Sequence, residues 1–170
     1  MSAIVDELEA PFGHSHGPQL TGTFAPVADE LILEDLPVEG EIPQDLNGVY
    51  LRNGPNPHYE PKGSYHYFDG DGMLHAGEFR AGKFTYRNKW VRTEGWLKNA
   101  EAGEESYWGV LNSVKDSKDR PMNDVANTDV IGHGGKAVLS WYLAGVPYVI
   151  DPVTLETIKA CLLYTSDAAD

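Results

Sequence analysis

The sequence predicts an all-β chain built from two consecutive antiparallel meanders. Short apolar–polar alternations recur over residues 48–93 and 127–157, and turns rich in Gly, Asn and Asp separate them at near-regular spacing. No stretch carries a convincing helical period over ten or more residues. Two four-stranded units of this kind point to a propeller or a sandwich.

The meanders read in order as follows. Residues 1–23, with "PFGHSHGPQLTG", are polar, Gly- and Pro-rich and aperiodic, and read as a flexible or draping N-terminal arm. Residues 49–52 form a short strand that "NGPNP" ends, because two prolines so close together forbid regular ladder bonding. Residues 64–68 are dense in aromatics and read as a strand, and Asp69-Gly70-Asp71-Gly72 as its hairpin, with glycines chosen for positive φ. Residues 73–80 return with Leu74 and Ala76 on one face. Ala81-Gly82 turns again, and residues 83–93 follow with Phe84, Tyr86, Asn88 and Trp90 in register. Residues 96–123 lose the alternation and read as a charged helix-loop or long-loop insertion. "NTDVI", "KAVLSWY" and "VPYVID", separated by "GHGG" and "LAG" and followed by "PVTLET", make the second meander.

Composition bounds the function. With 170 residues and 41% hydrophobic content, the chain can bury one core. A net charge of −13 predicts no nucleic-acid partner, since phosphate binding needs clustered Lys and Arg. No run reaches the roughly 18 apolar residues of a membrane span. Residues 1–11 show no signal-peptide pattern, and the single cysteine, Cys161, fits a reducing compartment. The expected location is cytoplasmic.

Candidate chemistry is sparse. His66, Asp69, Asp71 and His75 stand within ten residues and raise a metal site, but Asp-Gly-Asp-Gly is also what a turn selects, with carboxylates capping backbone N–H groups. A calcium loop would need more oxygen ligands and a terminal Glu at the proper spacing, which is absent. His14 and His16 form an H-x-H pair with no third ligand nearby in sequence. "GHGG" at Gly132 to Gly135 echoes an oxyanion loop but joins two strands. Tyr59, Tyr65, Tyr67 and Trp108 suit either a hydrophobic tunnel or sheet packing. No nucleophile elbow, P-loop or dinucleotide fingerprint appears.

Three strings carry a family resemblance: Leu51-Arg52-Asn53-Gly54-Pro55, Phe68-Asp69-Gly70-Asp71-Gly72-Met73 and Tyr86-Arg87-Asn88-Lys89-Trp90-Val91. With "ANTDVIGHGGKAVLSWY…PYVIDPVTLET" they resemble the N-terminal region of the carotenoid cleavage oxygenases, a family that includes stilbene-cleaving dioxygenases. The resemblance implies the first blades of a seven-bladed β-propeller, incomplete in this chain and occupying residues 24–160. It implies one Fe(II) on the propeller axis, held by four histidines, and O₂-dependent cleavage of a conjugated C=C bond in a carotenoid, apocarotenoid or stilbene to give carbonyl products. Such apolar substrates suggest peripheral membrane contact. None of His14, His16, His58, His66, His75 or His133 matches a ligand position, so no metal, cofactor or catalytic residue is assigned within this chain. The ligands are expected downstream, and the fragment alone is expected to be inactive. Many members place a glutamate, hydrogen-bonded to an iron histidine, where this sequence has Leu143. A metal-free propeller binding an apolar ligand, or an inactive truncated product, is the alternative. Residues 161–170, "CLLYTSDAAD", resemble a translated transposon-derived sequencing adapter and are set aside from the fold.

Overall fold

Two four-stranded antiparallel sheets make up the chain in a computed structural model that describes residues 10–112, 122–142 and 145–161. Leu143 and residues 162–170 lie outside the described residues. In the first sheet, β1 (Ile32–Leu33), β2 (Gly48–Pro55), β3 (Gly72–Arg80) and β4 (Lys83–Trp90) are ordered β1-β4-β3-β2. The second runs β5 (Asp129–His133), β6 (Lys136–Ser140), β7 (Tyr148–Ile150) and β8 (Thr157–Ala160) in sequence order.

Turn chemistry sets both registers. Ala81 (φ 48°) and Gly82 (φ 75°) close β3 onto β4 so that Phe79 faces Phe84, and Gly134 (φ 55°) and Gly135 (φ 74°) do the same for β5 and β6. Two consecutive positive φ values are the requirement of a two-residue hairpin whose twist matches its strands. "GHGG" is therefore a hairpin, as the sequence indicates.

Alternation then decides the core. Leu74 and Ala76 of β3 are each 1% exposed and meet Ala137 and Leu139 of β6 and Tyr148 and Ile150 of β7 in one cluster. The sheets thus pack on each other through one face each, with Val91, Ala126 and Leu155 filling the edges.

Three sequence expectations are corrected. Residues 64–68 are not a strand: Tyr67–Asp69 is a 3-10 turn, and the partners of β3 are β2 and β4. Aromatic content misleads here because these rings serve loop packing rather than a pleated face. The strand read as ending at residue 52 continues through Pro55, paired with Gly72. β2 is the edge of its sheet, so a proline at its end removes no ladder bond. Gly70 and Gly72 do not adopt positive φ. They are required by close approach, since a Cβ at Gly72 would lie 2.6 Å from the Val125 carbonyl oxygen, and one at Gly70 would lie 2.8 Å from the Tyr65 hydroxyl. Of the two readings of the insertion, the structure takes the helix-loop one: it opens with a helix, α1 (Glu94–Ala102), capped by Thr93, whose Oγ1 accepts from Trp96 N–H, and ended by Gly103 at φ 70°.

The segment that joins the N-terminal arm to β1 is tied down by carboxamides. Asn56 accepts from Val27 N–H (2.7 Å) and donates to Val27 O (2.9 Å). Asn88 accepts from Leu31 N–H (2.7 Å) and donates to Asp29 O (2.8 Å). Both are nearly fully buried, and they lead the chain into β1, which covers the outer edge of β4. Leu20, further upstream, is 1% exposed. Among the described residues no helix is long and apolar enough to cross a membrane.

Candidate functional site: the seam between the sheets

β2 and β5, the free edges of the two sheets, lie side by side. Asn53 of β2 donates through Nδ2 to the carbonyls of Ala126 (2.8 Å) and Asp129 (3.1 Å). Asn127 donates through Nδ2 to those of Phe68 (2.9 Å) and Gly70 (2.6 Å), and Trp141 Nε1 adds a bond to Phe68 O (3.1 Å). β2 and β5 are thus the edge strands through which the two sheets meet, as the innermost strands of neighbouring propeller blades would.

Above this seam lies an open groove of about 430 Å³ lined by Arg52, Tyr67, Phe68, Thr128 and Tyr142. Phe68 and Tyr142 pack against each other at its wall, tilted by 59° with centroids 4.8 Å apart, and both rings stay exposed. The Oδ1 atoms of Asn53 and Asn127, whose residues also line the groove, are buried without a partner among the described residues. Flat aromatic walls and a few polar groups suit a planar, conjugated, mostly apolar ligand.

The histidines and aspartates raised by the sequence are dispersed. His66 Nδ1 accepts from Phe68 N–H while Asp69 Oδ2 accepts from His66 N–H, a capping pair around the 3-10 turn. Asp69 Oδ1 accepts from Val110 N–H and Asp71 Oδ2 from His58 N–H. His75 Nδ1 shares a hydrogen bond of 2.8 Å with Tyr86 on the neighbouring strand. His16 pairs with Glu60 at 3.0 Å, and His133 is exposed at the end of β5. The aspartates thus cap backbone N–H groups, the turn role the sequence offered. Among the described residues, no three of His, Cys, Asp or Glu converge as a metal site would require.

Burial perturbs three of these groups, Asp71, His58 and His75. Asp71 is 2% exposed, and desolvation, reinforced by Glu105, pushes its carboxyl up to about 7. His58 packs between Trp90 and Trp96, and burial, with the Arg92 guanidinium 3.8 Å over Trp96, holds its imidazole below the usual histidine range. Of the aromatics, Tyr65 is buried and Tyr67 borders the groove. Sequence reasoning did not single out Tyr142 or Thr128, and it met Arg52, Asn53 and Asn127 only inside the family strings.

The comparisons with known proteins give this geometry a family. The profile of the family described as retinal pigment epithelial membrane protein matches residues 24–168. The isoeugenol monooxygenase of Pseudomonas nitroreducens is 39% identical over 142 residues, covering 82% of this chain and 30% of that protein. Carotenoid 9,10(9',10')-cleavage dioxygenase 1 of Arabidopsis thaliana is 37% identical over 77% of this chain and 28% of its own length. The lignostilbene dioxygenase of Pseudomonas brassicacearum superposes with a TM-score of 0.77 at 30% identity, over 86% of this chain and 31% of that one. A cobalt-substituted form of the Synechocystis apocarotenoid oxygenase gives 0.71 at 32% identity, over 81% and 30%. The chain belongs to the carotenoid cleavage oxygenase family, and its two sheets are blades of that family's β-propeller. It spans about 30% of the length of the curated relatives it matches.

Proposed function

We propose that this chain is the N-terminal portion of a non-haem Fe(II) dioxygenase that cleaves a conjugated C=C bond of a stilbene, phenylpropene, carotenoid or apocarotenoid with O₂. The observation that carries the reading is the family match over residues 24–168. Iron would supply O₂ activation, a chemistry suited to all-imidazole ligation with open positions. The described residues do not themselves form such a site. In this reading the four histidines lie beyond residue 160.

This chain's own part is structural and recognitive. Tyr67, Phe68 and Tyr142 wall one side of the axial groove against a flat apolar substrate, and Asn53 and Asn127 hold the two blades at the spacing that keeps the groove open. The expected location is cytoplasmic, with apolar substrate drawn from a membrane surface.

The test is to recover the reading frame through the junction at Ala160, express the whole product, and measure iron together with O₂-dependent cleavage of isoeugenol, a hydroxystilbene and an apocarotenal. About one iron per chain and aldehyde products from at least one substrate class support the reading. A folded product that contains no iron and cleaves none of them is instead a metal-free propeller.

A further inference from the structure

A second cavity, of about 190 Å³, lies on the face of the first sheet turned away from the second, under the N-terminal arm. Cross-strand register sets Arg52 of β2 opposite His75 of β3, on the face opposite Leu51, Leu74 and Ala76. The arm forms the roof with Leu20 and Phe24, fixed by the bonds between Asn56 and Val27.

The electrostatics of this cavity run against the rest of the molecule. The chain has 26 acidic residues against 13 basic, yet among the described residues no Asp or Glu lines the cavity. Arg80, Arg87 and Arg92 each sit on a carboxylate, at 3.2, 2.8 and 2.8 Å. Arg52 does not: among the described residues no carboxylate pairs with its guanidinium. Its Nη2 lies over Gly54, 3.6 Å from where a Cβ would stand, so the absent side chain leaves room beside the charge. Burial, and then the same charge, lower the proton affinity of the neighbouring His75 imidazole.

The walls are aromatic. Phe24 and Tyr67 meet edge to face, with centroids 6.1 Å apart at 88°, and remain 56% and 36% exposed. A void of about 150 Å³ is enough to hold a benzene ring, and this cavity of about 190 Å³ has room for one ring with a short substituent.

We propose that this cavity binds a monocyclic aromatic carboxylate, with its carboxylate on the Arg52 guanidinium and its ring against Phe24 and Tyr67. Arginine's planar fork matches a carboxylate at two points, which a lysine ammonium does not. Arg52 and Tyr67 line the seam groove as well, so this cavity adjoins it, but the carboxylate chemistry proposed here is set by Arg52 and Phe24 and does not rest on the oxygenase reading.

Calorimetric titration of the protein expressed from its uninterrupted gene tests the proposal, with benzoate, its neutral isostere benzamide, and acetate as probes. Benzoate is expected to bind at least tenfold tighter than either comparison. Arg52→Gln should erase its advantage over benzamide, and Arg52→Lys should restore only part of it. Phe24→Ala, on the exposed arm, should narrow the gap between benzoate and acetate while leaving that between benzoate and benzamide. Benzoate binding no tighter than benzamide, or titrating Arg52→Gln as it does the wild type, overturns the proposal. If Arg52→Gln unfolds early, the Phe24→Ala comparison decides: an unchanged preference of benzoate over acetate counts against the site.

Discussion

Asn53 and Asn127 cross the same seam in opposite directions. The first donates from β2 to the carbonyls of Ala126 and Asp129, and the second donates back to those of Phe68 and Gly70. Asn127 is 1% exposed, and removing its amide strands the buried Gly70 carbonyl, while Phe68 O keeps its bond from Trp141 Nε1. Such a loss costs about 1–3 kcal/mol, and Asn127→Ala should lower the urea-unfolding free energy by about that amount. Because the two amides support one contact, a double-mutant cycle with Asn53→Ala should show coupling above about 0.5 kcal/mol. Strict additivity would mean that the blades are held elsewhere.

Asp71 predicts a pH dependence. Its carboxyl titrates at about 7 in the folded chain and near the ordinary 3.8 when unfolded. Between these values the native state holds the extra proton, so stability falls as pH rises, by at most about 1.4 kcal/mol per unit. Glu105 is also raised by burial and adds to the trend, while His58 and His75, lowered by burial, oppose it on the acid side. The contribution is isolated by comparison with Asp71→Asn, whose carboxamide oxygen still accepts from His58 N–H. This variant should equal the wild type near pH 4 and exceed it at pH 8. A constant offset between the two thermal-unfolding profiles would disprove the assignment.

Gly72 and Gly132 offer a matched pair in two strands. A methyl at Gly72 would press on the carbonyl oxygens of Val125 (2.6 Å) and Ala126 (2.8 Å), whereas one at Gly132 meets nothing within 4 Å. Neither position has positive φ. Gly72→Ala should destabilise by about 2 kcal/mol or more, and Gly132→Ala should stay within about 0.5 kcal/mol. Guanidinium melts of the two variants check both values.

Ala81 occupies the left-handed region at φ 48° in the β3–β4 hairpin, a conformation that costs an alanine about 1 kcal/mol. Asparagine tolerates it, and the bond from the residue 81 N–H to Asn47 Oδ1 is unaffected. Ala81→Asn should raise the unfolding midpoint by a few degrees. An unchanged or lower midpoint would show that the turn carries no such strain.

The two meanders were legible because their signals are local. Leu74 and Ala76 alternate with His75, and Ala81-Gly82 and Gly134-Gly135 mark turns that require positive φ. The 64–68 segment was misread because Tyr65, Tyr67 and Phe68 look β-prone while His66 and Asp69 cap a 3-10 turn between them, and capping weighs little against aromatic content in a local reading. Pro55 looked like a breaker because edge position is not a local property. The carboxamides at positions 53, 56, 88 and 127 bond across 29 to 76 residues, a separation that no short-range pattern encodes. The axial groove is built from such long-range pairs, so its lining emerged only with the fold.

The order of synthesis follows from how the strands are dealt out. Each sheet takes all of its strands from one continuous stretch, residues 32–90 for the first and 129–160 for the second. Hairpins of low sequence separation form early, and nascent chains fold from the N-terminus as units. The first blade can therefore close on the ribosome before any of the second exists, with Leu74, Ala76 and Val91 left uncovered. The interval of greatest exposure to chaperones and to self-association runs from the emergence of residue 91 until β6 and β7 arrive to cover that face.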